Sequence, residues 1–156
     1  MKPRVYVETS VISYLTGRPS RDLVTAAHQQ ITRDWWEQRS RFDLFVSQAV
    51  LTEAALGDAD AASRRLEALG EAAVLPATAE AADLAERLIR ERAIPAAAAI
   101  DALHVAVAVA NGMDYLVTWN CTHIANAARR VRIEKACRRA GLQAPAICTP
   151  EELLQE

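Results

Sequence analysis

Short apolar runs alternate with amphipathic stretches along the chain, and the spacing within each predicts its secondary structure. Val5, Tyr6 and Val7 form a β-rich run after Pro3, and Glu8, Thr9 and Ser10 then offer polar capping groups to a helix over VISYLT. Ser20 is placed to cap a second helix, whose apolar positions Val24, Ala27, Ile31 and Trp35 recur at spacings of three and four. Residues 42–46 resume a strand pattern. Residues 48–56 and 59–69 read as a helix pair broken near Gly57, followed by a brief strand over 73–75 and a helix over about 78–92. Pro95 opens the most apolar helix, which ends near Asn111 and Gly112 and leads into a strand over 115–118. A basic helix over about 126–140 stops at Gly141, and residues 146–148 form a last short strand.

Short apolar strands separated by helices pair in parallel, because right-handed crossovers cover both faces of such a sheet. The expected fold class is α/β, an α/β/α sandwich with a short-stranded, mainly parallel sheet, and 156 residues suit one domain spanning 1–156. Ligands of open sheets collect beyond the carboxyl ends of the strands, so chemistry is sought just after each strand. Eighteen Lys plus Arg against twenty Asp plus Glu give a net charge of −2, which supplies no global positive field for nucleic acid or anionic lipid. Any such partner must be held locally. Cys121, Cys137 and Cys148 form no CxxC pair and are odd in number, which speaks against a disulfide framework or a structural zinc cluster. No stretch of about 20 apolar residues is present to span a membrane. A soluble protein of the reducing cytoplasm is the expectation.

Four side chains fall where that chemistry is sought. Glu8 follows the first strand, Glu53 lies in the helix after the second, Asp101 sits in the apolar helix, and Asn120 follows the strand over 115–118. Each has a plainer reading. Glu8 suits a helix start, Glu53 a solvated helix face, Asn120 a turn cap, and Asp101 a pair with His104 at i,i+3. Asp101 and His104 are the only ionisable side chains between Ile94 and Ala110, and a lone carboxylate in so apolar a helix must be protonated, paired or bound to a cation. Carboxylates brought together repel unless a divalent ion neutralises them, and oxygen ligands select Mg²⁺ or Mn²⁺. That combination points to phosphodiester chemistry.

The segments VYVETSVISYL, SQAVLTEAALGD and IDALHVAVAVANGMDYLVTWN, in this order, resemble the PIN domain, and specifically the ribonuclease toxins of VapBC-type toxin–antitoxin modules. The likeness covers nearly the whole chain. It implies an acidic pocket that binds Mg²⁺ or Mn²⁺ for endonucleolytic cleavage of RNA, in single-stranded or loop regions, by a homodimer restrained by a cognate antitoxin. Position by position, the family's acids fall on Glu8, Glu53 and Asp101, its last site falls on Asn120, and Thr9 and Ser10 match the hydroxyl residues beside the first acid, where they are candidate RNA contacts. Two positions depart from the family pattern. Glu8 stands where the family most often has Asp, which moves its oxygens by about one methylene. Asn120 stands where an acid is common, and a neutral amide oxygen weakens the case for a second metal. Asp114 does not replace it, because it opens the strand six residues earlier, about 20 Å away along an extended chain.

The implied reaction is metal-assisted hydrolysis with Glu8, Glu53 and Asp101 as metal ligands and Asn120 beside them. Of the histidines, His104 reads as a core partner and His123 as a loop residue. On the basic helix, Arg132, Lys135, Arg138 and Arg139 lie opposite the apolar face of Ile133, Ala136, Cys137 and Ala140, where they serve either as phosphate contacts or as a solvated face. Trp119 either stacks on an unpaired base or packs against a loop. Trp35 and Trp36 read as core or dimer contacts. Two other functions remain open on the same residues: a PIN-fold RNA-binding module with weakened catalysis, and a metal-dependent phosphoesterase or DNA nuclease.

Overall fold

A computed structural model describes residues 1–156. Five strands, β1 (Arg4–Val7), β2 (Asp43–Ser47), β3 (Ala73–Leu75), β4 (Tyr115–Val117) and β5 (Ala146–Cys148), form one parallel sheet in the order β3-β2-β1-β4-β5. Tyr6 lies opposite Phe45 on one side and Leu116 on the other. Val5, Tyr6, Val7, Val46, Leu116 and Val117 are all buried, as expected of central strands covered on both faces.

Seven α-helices connect the strands: α1 (Thr9–Thr16), α2 (Leu23–Glu37), α3 (Gln48–Ala54), α4 (Ala59–Ala68), α5 (Ala79–Arg90), α6 (Ala99–Ala110) and α7 (Ala127–Arg139). The chain winds outward through β1, β2 and β3, crosses back, and winds the other way through β4 and β5. Right-handed crossovers therefore put α1–α4 on one face and α5–α7 on the other. Most helix contacts agree: α1 packs on α2, α3 and α4, and α5 packs on α6 and α7, while α3 also meets α6 where Glu53 reaches His104. The winding reverses between β1 and β4, and the carboxyl ends of these neighbours are where such a sheet opens a crevice.

Most elements fall where the periodicity places them, with two differences near α2 and α6. Asp22, not Ser20, caps α2, accepting from the Thr25 amide at 2.9 Å, while the Ser20 hydroxyl accepts from the Asp22 amide at 3.1 Å. The buried face of α2 is Gln29, Thr32 and Trp35, and Val24 is exposed. Gln29 is drawn inward because its side chain holds the 18–20 turn, donating to the Arg18 carbonyl and accepting from the Ser20 amide, each at 2.9 Å. Pro95 opens a short 3₁₀ turn over Ala96–Ala98, and α6 follows it. Gly112 and Gly141, at φ of +66° and +74°, end α6 and α7 in the left-handed conformation that favours glycine. No helix is long and apolar enough to cross a membrane.

Candidate metal centre

Glu8 is the first residue beyond β1 and the N-cap of α1, with extended backbone at φ −76° and ψ 152°. Its amide still donates to the Val117 carbonyl at 3.1 Å, so the β1–β4 ladder reaches one step past the strands and fixes where its carboxylate starts. Glu8 is only 4% exposed. Its burial is offset by three donors: the Ser10 amide to Oε2 at 3.0 Å, and the Ser10 and Thr118 hydroxyls to Oε1. The extra methylene of Glu is accommodated by this capping geometry. Thr118 in turn accepts from the Asn120 amide at 2.9 Å, and the Ser10 hydroxyl accepts from the Trp119 amide at 2.8 Å. One carboxylate thus ties together the ends of both strands at the winding reversal.

Glu53 arrives from α3, on the β2 side. Its Oε1 accepts from the Thr9 hydroxyl at 2.7 Å and lies 2.5 Å from His104 Nε2. Burial pushes the Glu53 carboxyl up, but the hydrogen bonds from His104 and Thr9 outweigh it and hold the group below its ordinary value. His104 projects from α6, fully buried, and its other nitrogen, Nδ1, meets the Tyr6 hydroxyl at 2.6 Å. Tyr6 also meets the Ser47 hydroxyl at 2.7 Å, and burial raises its phenol well above the ordinary range, which keeps it protonated.

Ligand atoms of Glu8, Glu53 and His104 all lie within 4.8 Å of one another. Two unit negative charges at that separation repel by about 3.5 kcal/mol at an effective dielectric constant of 20. The surrounding hydroxyl, amide and imidazole donors reduce this repulsion, and a divalent cation would remove it. Two Mg–O bonds of about 2.1 Å set ligand oxygens about 3 Å apart in adjacent octahedral positions and about 4.2 Å apart in opposite ones, so the two carboxylates reach one hard ion with a modest side-chain adjustment.

The structure thus brings Glu8 and Glu53 together, with His104 as the third member. Asp101 is on α6 one turn before His104, on the same face, and its Oδ2 meets His123 Nδ1 at 2.9 Å; the Asp101–His104 pair does not form. Asn120 holds the turn, its side-chain oxygen accepting from the His123 amide at 3.0 Å. Asp114 takes the Arg4 amide at 2.7 Å, at the opposite end of β4. Thr9 and Ser10 spend their hydroxyls on the two carboxylates. Trp119 is not free to stack on a base: it is 8% exposed, its indole N–H donates to Thr32 at 2.7 Å, and its ring stacks on His28 at 4.0 Å.

The basic face of α7 is solvent-exposed, with Ile133, Ala136 and Cys137 buried beneath it. Arg138 borders a depression with Gly112, Met113 and Asp114, at the strand-entry end of β4. Arg139 pairs with Glu91 at 2.9 Å, leaving Arg132, Lys135 and Arg138 as the cations of this face without a carboxylate partner. Trp35 is a core residue, and half-buried Trp36 lies under the guanidinium of Arg39.

His104 and Thr118 are the site residues that sequence reasoning missed. His104 carried a signal, being the one ionisable group on the Asp101 face of a helix too apolar to hold a charge unpaired. Thr118 carried none, because its role depends on β1 and β4 becoming neighbours across more than a hundred residues.

The family model for the PIN domain matches residues 5–121. No curated protein matches the chain. Among solved structures, a chain in the crystal structure of VapBC2 from Rickettsia felis, bound to a DNA fragment from its promoter, superposes with a TM-score of 0.54 at 12% identity, covering 94% of this chain and 98% of that one. With the parallel sheet, the acidic pair at the winding reversal and the family match over most of its length, the chain belongs to the PIN-domain family.

Proposed function

We propose that this chain is a Mg²⁺- or Mn²⁺-dependent endoribonuclease, the toxin of a VapBC-type pair, acting in the cytoplasm as a homodimer restrained by an antitoxin. The observation that carries the reading is the meeting of Glu8 and Glu53, from different crossovers, at the carboxyl ends of the central strands. Family membership and the likeness to a VapBC2 chain support it. Glu8 and Glu53 would hold the ion, with Asp101, one turn from His104 on the same face of α6, as the third carboxylate. A bound Mg²⁺ or Mn²⁺ supplies charge neutralisation at the phosphate and acidifies a water. Ser10 and Thr118 orient Glu8, Thr9 and His104 orient Glu53, and His123 orients Asp101. Asn120 shapes the turn that carries His123. Arg132, Lys135 and Arg138, which have no carboxylate partner, are the side chains assigned to distal RNA phosphates.

The test is cleavage of labelled single-stranded RNA with Mn²⁺, with Mg²⁺ and with EDTA, beside single-stranded DNA and a small phosphodiester. Metal-dependent RNA cleavage that Glu53→Gln and Asp101→Asn each lower at least a hundredfold is expected. Tight RNA binding without cleavage would instead identify a binding module. Preferential cleavage of DNA or the phosphodiester would identify a different hydrolase.

A further inference from the structure

We propose that His104 is a positioning residue, fixed by Ser47 and Tyr6 with its proton on Nε2, and that through this proton it pins Oε1 of Glu53 and leaves Oε2 to face the ion. The inference rests on the metal-site reading above and assigns His104 a part within it.

The assignment follows from matching donors to acceptors along one buried chain. An ionised carboxylate only accepts, so the 2.5 Å contact between Glu53 Oε1 and His104 Nε2 needs a proton on Nε2. With the imidazole neutral, Nδ1 is bare and accepts; an imidazolium would instead carry a second proton on Nδ1, which long-range ¹H–¹⁵N spectra detect. The only partner there is the Tyr6 hydroxyl, at 2.6 Å, and it donates its single proton to Nδ1. Tyr6 oxygen is thereby free to accept from Ser47, at 2.7 Å. Ser47, Tyr6, His104 and Glu53 form one directional series in which every buried group is satisfied.

Direct ligation by Nε2 would require the opposite polarity: Nε2 bare, Nδ1 donating to Tyr6, and Tyr6 donating to Ser47. It would also separate His104 from Glu53 Oε1, leaving the Thr9 hydroxyl as the only donor on that oxygen. His104 is fully buried and cannot turn to water for a replacement partner. Glu53 Oε1 already takes two donors, whereas its Oε2 takes none from the protein, and the Glu53 side chain keeps 34% of its surface. The imidazole therefore does for Glu53 what the Ser10 and Thr118 hydroxyls do for Glu8: it commits one oxygen to the protein. Second partners of metal ligands commonly carry 10- to 100-fold in metal affinity.

Two measurements on the full chain test this. In imidazole-¹⁵N-labelled protein at pH 8, long-range ¹H–¹⁵N spectra are expected to show His104 protonated at Nε2 and bare at Nδ1, and to keep that pattern in saturating Mg²⁺. A proton on Nδ1, or loss of the Nε2 proton on adding Mg²⁺, would overturn the proposal. By calorimetry, Mn²⁺ affinity is expected to fall at least tenfold in His104→Leu and to stay within threefold of the parent in His104→Gln, whose amide nitrogen can donate from the Nε2 position. Equal loss in both variants would identify His104 as a ligand and refute the positioning role. If the parent protein takes up no Mn²⁺, the nuclease reading fails and with it the role of Glu53 Oε2 toward an ion, while the tautomer still decides whether His104 pins Oε1.

Discussion

Replacing Thr118 by valine asks whether the buried carboxylate of Glu8 holds the winding reversal together or merely borders it. Valine keeps the branched shape at a position that is 0% exposed, but deletes the hydroxyl that donates to Glu8 and accepts from Asn120. A hydrogen bond to an ionised group contributes about 1.5–3 kcal/mol, and the Asn120 amide, in a partly wet loop, adds up to about 1 kcal/mol when it loses its acceptor. Thr118→Val is therefore expected to cost about 2–4 kcal/mol, a fall in Tm of about 5–15 °C for a domain of this size. Glu8→Gln behaves differently. It weakens three hydrogen bonds but also removes the repulsion of about 3.5 kcal/mol from Glu53. The amide keeps an acceptor at only one of the two oxygen positions, so either the Ser10 amide or the two hydroxyls lose theirs; set against the relieved repulsion, this should leave Glu8→Gln within about 2 kcal/mol of the parent. The assay is urea denaturation of the parent, both single variants and the double variant, at pH 7 without divalent ions. A coupling energy of about 1.5 kcal/mol or more between positions 8 and 118 is expected. A value below about 0.5 kcal/mol would refute the reasoning, because the contact would then carry no stability of its own.

Other consequences are separately measurable. The Glu53 carboxyl titrates below its unfolded value near 4.5, so its contribution to stability is present above that value and disappears as pH falls through the folded value. The stability difference between the parent and Glu53→Gln, followed by urea denaturation, should be constant above about pH 6 and shrink below about pH 4.5. Burial pushes the thiols of Cys137 up to about 11 and Cys148 up to about 12, while Cys121 is exposed. A thiol reagent at pH 8 should therefore modify one equivalent rapidly in the native protein and three in denaturant. Trp35 is fully buried, and Trp35→Ala should cost about 3–5 kcal/mol in chemical denaturation.

What was legible in the sequence was whatever local periodicity or local chemistry decides. The strands at residues 5–7, 115–117 and 146–148 are apolar enough to require cover on both faces, so the parallel α/β sheet follows from them. Glu8 was legible as the side chain just past β1, whereas Glu53, near the end of the helix after β2, was singled out by the order of the motifs and the family likeness they carry. Other features depend on partners distant in sequence. Ser20 has the right chemistry for a cap, but Gln29 holds its backbone outside the helix, so Asp22 takes the place. Trp119 offers a base-stacking ring in sequence, and only the arrival of Thr32 and His28 from α2 shows that both its polar atom and its face are spoken for. Asp101 and His104 share a helix face, which suggested a pair, but each is claimed by a nearer partner from another element: His123 for the first, Glu53 for the second.

The donors around the two carboxylates also set how strongly an ion should stabilise the fold. Glu8 has three protein donors and Glu53 has two, so the protein itself offsets much of the cost of bringing the two carboxylates together. The repulsion that remains is nevertheless relieved only when a cation enters, so binding must appear as added stability. At an Mn²⁺ concentration one hundred times its Kd, linkage gives about 2.7 kcal/mol, a rise in Tm of about 5–11 °C. Neutralising either glutamate removes both the repulsion and one of the charges that attract the ion. Glu8→Gln and Glu53→Gln should then melt at temperatures that Mn²⁺ moves by less than about 2 °C under the same conditions. The control is Asp114→Asn, at the far end of β4, which should keep the full Mn²⁺ shift even though loss of its charge weakens the bond to the Arg4 amide. An equal rise in all four proteins would mean that Mn²⁺ binds elsewhere on the surface, and the acidic pair at the winding reversal would lose its claim to the ion.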